Sequence, residues 1–442
     1  MDGAISVVGI GADGWDGLPG ASRRVLRAAE VLIGAPRQLD LLPGDCPGER
    51  IAWPSPLRPA VPGLLAAHAG RVIAVLASGD PSFYGIGRTL AETVDADRLR
   101  IHPHPSSVSY ACARLGWPLE ETETVSLVAR PLAALAAVLH PGRRILVLGE
   151  GPETPARVAS LLRDTGWGGT RIRVLEQLGG HRERLLDATA GTWPYERTDA
   201  LHVLALDCVR DPDALRLGAA PGLPDEAYEH DGQLTKRYVR AATLAALAPA
   251  PGELLWDVGG GSGSIGIEWM RTHRACRAVA IEKSPERAAR IARNADALGV
   301  PALKVVTAPA PEGLAGLPTP DAIFVGGGLT APGLLAACWD ALPAGGRLVA
   351  NTVTLESEAL LAEAHRRHGG ELFRLAVATA VPVGGFTGWR QAMPVTQWSV
   401  TKRPDMEGPV TEGPVMEGSV TERPDTEGSD TRRPVTKGSE EG

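Results

Sequence analysis

The segment best equipped for chemistry is LLWDVGGGSGSIGIEWM, where an apolar strand-like run ends at Asp257 and passes through Gly259, Gly260, Gly261, Ser262 and Gly263 into an apolar helical stretch. Glycines at a strand-to-helix turn let backbone amides approach a ligand closely, and the amides that open a helix favour negative charge. Gly261 to Gly266 satisfies G-x-G-x-x-G, a weak pattern alone that also suits a nicotinamide dehydrogenase. Asp257 converts the run to D-x-G-x-G-x-G and places a carboxylate where it can face a cationic ligand such as the amino group of S-adenosylmethionine. Glu282 ends the next strand-like run nineteen residues after Gly263, the spacing at which an acid reaches ribose hydroxyls.

Upstream, HDGQLTKRYVRAATLAAL turns and then becomes helical, with Thr235 at the N-cap position and Lys236, Arg237 and Arg240 within one turn of each other. Three converging cations, with His230 nearby, can bind the carboxylates of a polyanionic substrate; the same cations also suit a solvated helix face. In the first half, Gly9-Ile10-Gly11-Ala12-Asp13-Gly14 fits the glycine pattern, but WDGLPG follows it in place of a helix start, so a dinucleotide reading fails there. ASGDPSFYGIG carries Gly79, Asp80 and Pro81 at a strand end before a second glycine turn. In HPSSVSYACARLG, Ser106 and Ser107 are placed to cap a helix.

The elements that must position these residues alternate between strand and helix. ISVVGIG, RVIAVLAS, RILVLGE, RIRVLEQL and ALHVLAL read as strands, with ASRRVLRAAEVLIG and SSVSYACARLG as helical stretches between them. The second half repeats the style through LLWDVG, AVAIEK, LKVVTA, DAIFVGG and GRLVANTV. It then ends in two β-rich runs, LFRLAVATAVPV and QAMPVTQWSV, which predict an antiparallel hairpin closing a parallel sheet. Periodicity vanishes between Asp211 and Pro224, which reads as a linker. After Trp398 the chain runs in pentads such as GPVTE and GPVME, with almost no large apolar side chain.

A chain of 442 residues is too long for one core. Its 45 basic and 52 acidic side chains give a net charge of −7, which excludes a globally basic nucleic-acid binder. Residues 403–442 hold ten acids and five bases, so the body is close to neutral and any polyanion must be met by a local basic pocket. Five scattered cysteines without a C-x-x-C pair fit neither a zinc site nor a disulfide framework, and a cytoplasmic protein with no metal is expected. No basic, apolar leader and no run of membrane-spanning length is present, so no membrane association is expected.

The order of these pieces resembles the fused decarboxylating precorrin methyltransferases of cobalamin (corrin) biosynthesis, over roughly Gly3 to Trp398. VVGIGADGWDGL, SGDPSFYGIG, PSSVSYACARLG and EQLGGHRER are similar to the tetrapyrrole (corrin/porphyrin) methylase family, in which two α/β lobes hold S-adenosylmethionine between them. LTKRYVRA, LLWDVGGGSGSIGIE, AIEKSPE, RNADALGV, DAIFVGGG and NTVTLES are similar to the seven-stranded class I methyltransferases. The resemblance implies an α/β fold: a two-lobed tetrapyrrole methylase domain (1–210), a linker (211–224), a Rossmann-like class I methyltransferase domain (225–402) and a disordered tail (403–442). It implies C5 methylation of a reduced precorrin-6 by the first half. The second half would methylate C15 and decarboxylate the ring C acetate, giving precorrin-8.

By the same resemblance the cofactor residues are Thr235, Gly259 to Gly263, Glu282 and Ala310 in the second half, with Gly9, Gly11, Gly79, Asp80, Pro81, Ser106 and Ser107 in the first. Arg130 joins Lys236, Arg237 and Arg240 as a candidate carboxylate anchor, and self-association through the second half is implied. Two departures stand out. The family's Ser-Leu-His-Gly-Arg reads Ser126-Leu127-Val128-Ala129-Arg130, and Gly-Asp-Ala-Pro-Glu reads Ala308-Pro309-Ala310-Pro311-Glu312. The rival readings are an NAD(P)-dependent oxidoreductase using the second glycine loop and a non-enzymatic cofactor-sensing interaction protein.

Overall fold

Short β-branched runs bounded by glycine and proline form three large sheets and one two-stranded hairpin in a computed structural model that describes residues 4–404. The first sheet holds β1 (Ile5–Ile10), β2 (Val31–Gly34), β3 (Glu49–Ala52), β4 (Ile73–Ser78) and β5 (Leu99–His102), all parallel, in the order β3-β2-β4-β1-β5. VLIG, read above as part of a helical stretch, is the inner strand β2. Its four residues are buried between β3 and β4, and that burial outweighs continuation of the helix Gly20–Ala28. The second sheet is mixed: β6 (Glu123–Ser126), β7 (Arg144–Leu148), β8 (Arg171–Glu176), β9 (Arg184–Thr189) and β10 (His202–Asp207) lie in the order β6-β7-β10-β8-β9.

The third sheet contains β11 (Leu254–Val258), β12 (Arg277–Glu282), β13 (Lys304–Thr307), β14 (Ala322–Val325), β15 (Arg347–Thr352) and β16 (Glu371–Leu375). The β17 (Ala378–Val383) and β18 (Phe386–Gln391) strands form a separate hairpin, and β19 (Val395–Thr401) returns to the sheet. The order is β13-β12-β11-β14-β15-β19-β16, with β19 antiparallel to both its neighbours. The sequence led us to expect two terminal strands; the first β-rich run supplies β16 and β17, the second supplies β19, β18 lies mostly in the GGFTGWR stretch between them, and only β16 and β19 close the sheet. Trp398 on β19 is fully buried, and its indole N–H donates to the Gly369 carbonyl at 2.9 Å.

Every residue of β11 is buried, as expected of a central parallel strand covered on both faces. The two-residue period sends Leu255 and Asp257 to the face covered by the helix Ser264–Thr272, while Leu254, Trp256 and Val258 pack on the opposite core. No helix or strand crosses 211–224, and that stretch is held at both ends. The Asp211 carboxylate accepts the Gly168 and Gly169 amides at 3.2 Å, and the Gly222 and Leu223 amides donate to Glu268. All five cysteines are unpaired and buried. Among the described residues no helix is long and apolar enough to cross a membrane. Apart from Arg403 and Pro404, the pentad tail expected to be disordered lies outside the described residues.

Candidate cofactor sites

Parallel register brings the C-terminal ends of β11, β12, β13 and β14 to one edge, with Val258 beside both Ile281 and Val325, and Glu282 beside Thr307. The glycine loop, Glu282, Ala310 and the Gly326–Gly328 turn therefore meet where open α/β sheets bind ligands. Gly259, Gly261 and Gly263 have φ of 74°, 59° and 79°, a conformation side chains resist. A Cβ at Gly259 would lie 2.9 Å from the Gly327 amide nitrogen, and one at Gly263 would lie 2.7 Å from the Ile291 side chain. Gly327 faces open space in the cradle so formed, with nothing within 4 Å of where its Cβ would stand.

The Glu282 carboxylate accepts the Gly261 amide and the Ser284 amide, both at 2.9 Å, which fixes the acid against the loop. Asp257 is buried under the start of the following helix and accepts the Gly266 amide at 2.9 Å. Burial pushes its carboxyl up to about 7 despite the Gly266 bond that lowers it, and the Glu282 charge adds to the rise. Ser262 is buried, and its carbonyl accepts from the Asn294 amide at 2.9 Å. Ala310 is half-buried beyond β13 and packs on the core that holds Leu314. The site thus offers a backbone cradle and two acids, a set suited to a ligand with a ribose and a cationic amino-acid portion.

The cations beside this loop do not converge. The helix runs from Arg237 to Leu247 with Lys236 at its N-cap position and no side-chain cap, so Thr235 does not cap it. Thr235 instead gives its carbonyl to Arg240 Nη1. Arg240, offered above as a substrate anchor, is 0% exposed. Its Nε donates to Glu268 at 2.5 Å, Nη1 also reaches Asp225 at 3.2 Å, and Nη2 donates to the Leu223 carbonyl. With every nitrogen engaged and none accessible, Arg240 is a strut. Glu268 completes it by accepting the Tyr228 hydroxyl at 2.8 Å and the Gly222 and Leu223 amides. Lys236 is exposed and 3.8 Å from Asp225, while Arg237 is exposed and donates to the Gly222 carbonyl at 2.8 Å. His230 is exposed and accepts the Gly232 amide at 3.1 Å. The strut holds residues 222–235 against the helix, and the Gln233 carbonyl then lies 3.5 Å from where a Gly261 Cβ would stand.

In the first half the predicted pieces come from three separate strand ends and do meet. A Cβ at Gly9 would overlap the Gly79 carbonyl oxygen and approach His104 at 2.9 Å. Gly79 has φ 58°, donates to the Ile10 carbonyl, and would put a Cβ 3.2 Å from the Ser106 Cα. Asp80 accepts the Ser82 amide at 2.8 Å, and the Pro81 carbonyl accepts the Gly87 amide at 3.0 Å, which folds the loop back on itself. Ser106 caps the helix Ser107–Leu115, its Oγ accepting the Ser109 amide at 3.0 Å. Contrary to the reading above, a one-turn helix, Gly14–Gly17, does follow the first glycines.

Sequence reasoning passed over Asp13, His104 and Tyr110. His104 Nε2 lies 3.1 Å from Asp13 Oδ2 without forming a hydrogen bond, and its side chain is only 2% exposed. The Tyr110 hydroxyl donates to the same carboxylate at 3.3 Å. A Cβ at Gly11 would approach both Asp13 and His104, so that glycine makes room for the cluster. The signal was in plain view, an acid after the glycine loop and a histidine before the Pro-Ser-Ser cap, but nothing in their spacing announced the contact. Arg130 is exposed, its guanidinium carbon 5.6 Å from the Tyr84 ring centroid, and Ala129 holds φ 53°.

Residues 4–194 match the family described as tetrapyrrole (corrin/porphyrin) methylases, and residues 226–402 match a precorrin methyltransferase domain. A Sinorhizobium protein, precorrin-6Y C(5,15)-methyltransferase (decarboxylating), is 49% identical over 398 residues, covering 90% of this chain and 96% of the relative. The protein of the same description from Mycobacterium tuberculosis is 49% identical over 403 residues, covering 90% of this chain and 100% of the relative. Among solved structures, the C-terminal domain of precorrin-6Y C5,15-methyltransferase from Rhodobacter capsulatus is 48% identical, covers 42% of this chain and 100% of its own, and gives a TM-score of 0.40.

Proposed function

The chain belongs to the precorrin-6Y C(5,15)-methyltransferase (decarboxylating) family, and from that premise we propose that it methylates C5 and C15 of a reduced precorrin-6 with S-adenosylmethionine and decarboxylates the ring C acetate. The observation that carries the reading is similarity running through both halves, 49% identity over 398 residues, so that neither activity rests on a fragment. Family membership removes the nicotinamide oxidoreductase and the non-enzymatic sensor. The first half takes the C5 step and the second takes the C15 step and the decarboxylation. Five buried, unpaired cysteines suit a reducing cytoplasm.

S-adenosylmethionine, when bound, supplies a methyl group already activated by a sulfonium. The chain's own task is then chiefly positioning. In the second half, Gly259 to Gly263 let the backbone approach the cofactor, Glu282, fixed by two amides, accepts from ribose hydroxyls, and Asp257, its carboxyl pushed up to about 7, is poised to ionise against a cationic amino group. Thr235 and Ala310 flank the loop. In the first half Gly9, Gly11, Gly79, Asp80, Pro81, Ser106 and Ser107 serve the same purpose. Loss of carbon dioxide needs the tetrapyrrole as electron sink and a carboxylate held in place and shielded from water.

Product mass tests the reading. Incubation of the full chain with reduced precorrin-6 and S-adenosylmethionine should add two methyl groups and remove one carbon dioxide. A product with no added methyl would overturn it.

A further inference from the structure

Tyr84 lies in the loop that follows Gly79 and holds φ 53°, a conformation bulky side chains seldom adopt. Its ring is nonetheless presented outward, 42% exposed, with Phe83 edge-on at 4.9 Å and its hydroxyl donating to the Thr124 carbonyl at 3.5 Å. Arg130 approaches the ring at 5.6 Å, and Arg274 of the second half brings Nη1 to 3.4 Å from the Tyr84 hydroxyl. Two guanidinium groups from different halves of the chain therefore flank one exposed tyrosine beside the first glycine loops. Neither has a carboxylate within 4.0 Å among the described residues, unlike Lys236 and Arg240, which share Asp225.

The contact between halves that places Arg274 there is close. Gly299, with φ 83°, sits so near Ala137 that a Cβ would overlap the Ala137 backbone. A few residues on, burial holds the His140 imidazole below its ordinary value, and the Arg143 and Arg271 charges lower it further. Neither the Arg130 nor the Arg274 guanidinium is satisfied by an acid, and the planar fork of arginine matches a carboxylate.

We propose that Arg274 joins Arg130 and Tyr84 in a carboxylate-binding rim at the mouth of the first site, which grips an acetate or propionate arm of the tetrapyrrole. The proposal rests on the functional reading above. It makes the second half part of the substrate site for C5 methylation.

Titration of the full chain with uroporphyrin, a polycarboxylate tetrapyrrole, at low salt tests the rim without requiring turnover. Arg274→Ala and Arg130→Ala should each weaken binding by about five- to tenfold, the range for partly exposed charged contacts, with the loss shrinking as salt rises. Arg274→Lys should recover part of it, and Arg366→Ala, on the helix Leu355–His368 that packs beside β16 at the opposite edge of the third sheet, should change nothing. In turnover, Arg274→Ala should raise the substrate KM of the C5 step while leaving the C15 step and S-adenosylmethionine affinity as they were. Unchanged uroporphyrin affinity in both alanine variants, or an equal loss in Arg366→Ala, overturns the rim. Wild-type chain that binds uroporphyrin in an arginine-dependent way but methylates nothing keeps the rim and overturns the functional reading.

Discussion

The two glycine sites reach a similar end by opposite constructions. In the second half one contiguous run, Gly259 to Gly263, makes the turn, the next strand supplies Glu282, and a buried ion network behind it holds the overlying segment. In the first half the glycines arrive singly from β1 and β4, meet the Ser106 cap beyond β5, and are held by backbone lying on backbone. A contiguous loop is sensitive mainly to what braces it from behind. A dispersed one is sensitive to any atom added at the crossing.

The largest effect should come from the brace. Arg240→Ala removes one partner of a fully buried pair and leaves Glu268 with its charge inside the protein, a change that costs about 3–5 kcal/mol. Denaturant unfolding of the full chain reads it, and a loss below about 1 kcal/mol would mean that the network is not what holds residues 222–235. Arg237→Ala, whose side chain is exposed, should be several times milder.

Asp257 gives the second site a pH signature. Its folded value of about 7 lies above the ordinary 3.8, so the folded state holds the proton more tightly and stability falls as pH rises from about 4 to 7, then levels. The ceiling is about 4 kcal/mol for a shift of roughly three pKa units. Asp257→Asn cannot titrate, so its melting temperature should gain on wild type across that window. Parallel melting curves at every pH would show that the acid is already ionised in the fold.

At the crossing in the first half, Gly9→Ala forces a methyl group onto the Gly79 carbonyl and toward His104, an overpacking that costs about 1–3 kcal/mol and displaces the loop. C5 methylation should fall steeply while C15 methylation persists. Equal losses in both steps would contradict the separate construction of the two sites. Glu282→Ala in the second half should weaken S-adenosylmethionine there by about 1–3 kcal/mol, the range for a lost charged acceptor, read by calorimetry as loss of one of two binding events. An unaltered isotherm would remove Glu282 from the cofactor.

These differences also explain what the sequence made legible. The contiguous loop and its acid were readable because their chemistry depends on spacing along one strand-turn-helix unit. Arg240 was misread because a one-turn cluster of cations looks the same whether a side chain meets water or a buried acid 28 positions away, and Glu268 sits inside an apolar helix where nothing marks it as the partner. VLIG was misread because four apolar residues fit a helix end as well as an inner strand. The four-strand ending was half read, since β17 and β18 leave the sheet through a turn that composition does not distinguish from continuation. Asp13, His104 and Tyr110 stayed hidden because tertiary contact across up to 97 positions has no local signature.

The smallest effect tests how far the first site has drifted from the glycine-based pattern. Where the family pattern has glycine, this chain has Ala129, yet the backbone keeps φ 53°. An L side chain there crowds the carbonyl that follows and costs about 1–2 kcal/mol. Ala129 is exposed, so its methyl group gains little from burial to offset that strain. Ala129→Gly should relieve it, less about 0.4–1 kcal/mol for the extra freedom glycine has when unfolded, for a net gain near 1 kcal/mol or somewhat below. The measurement is an upward shift in denaturant midpoint with no change in slope, since neither compactness nor exposed surface is altered. A midpoint that falls would mean that the alanine methyl supports Arg130 beside it and that the substitution is compensated. In that case the dispersed site tolerates added atoms better than its crossing at Gly9 implies.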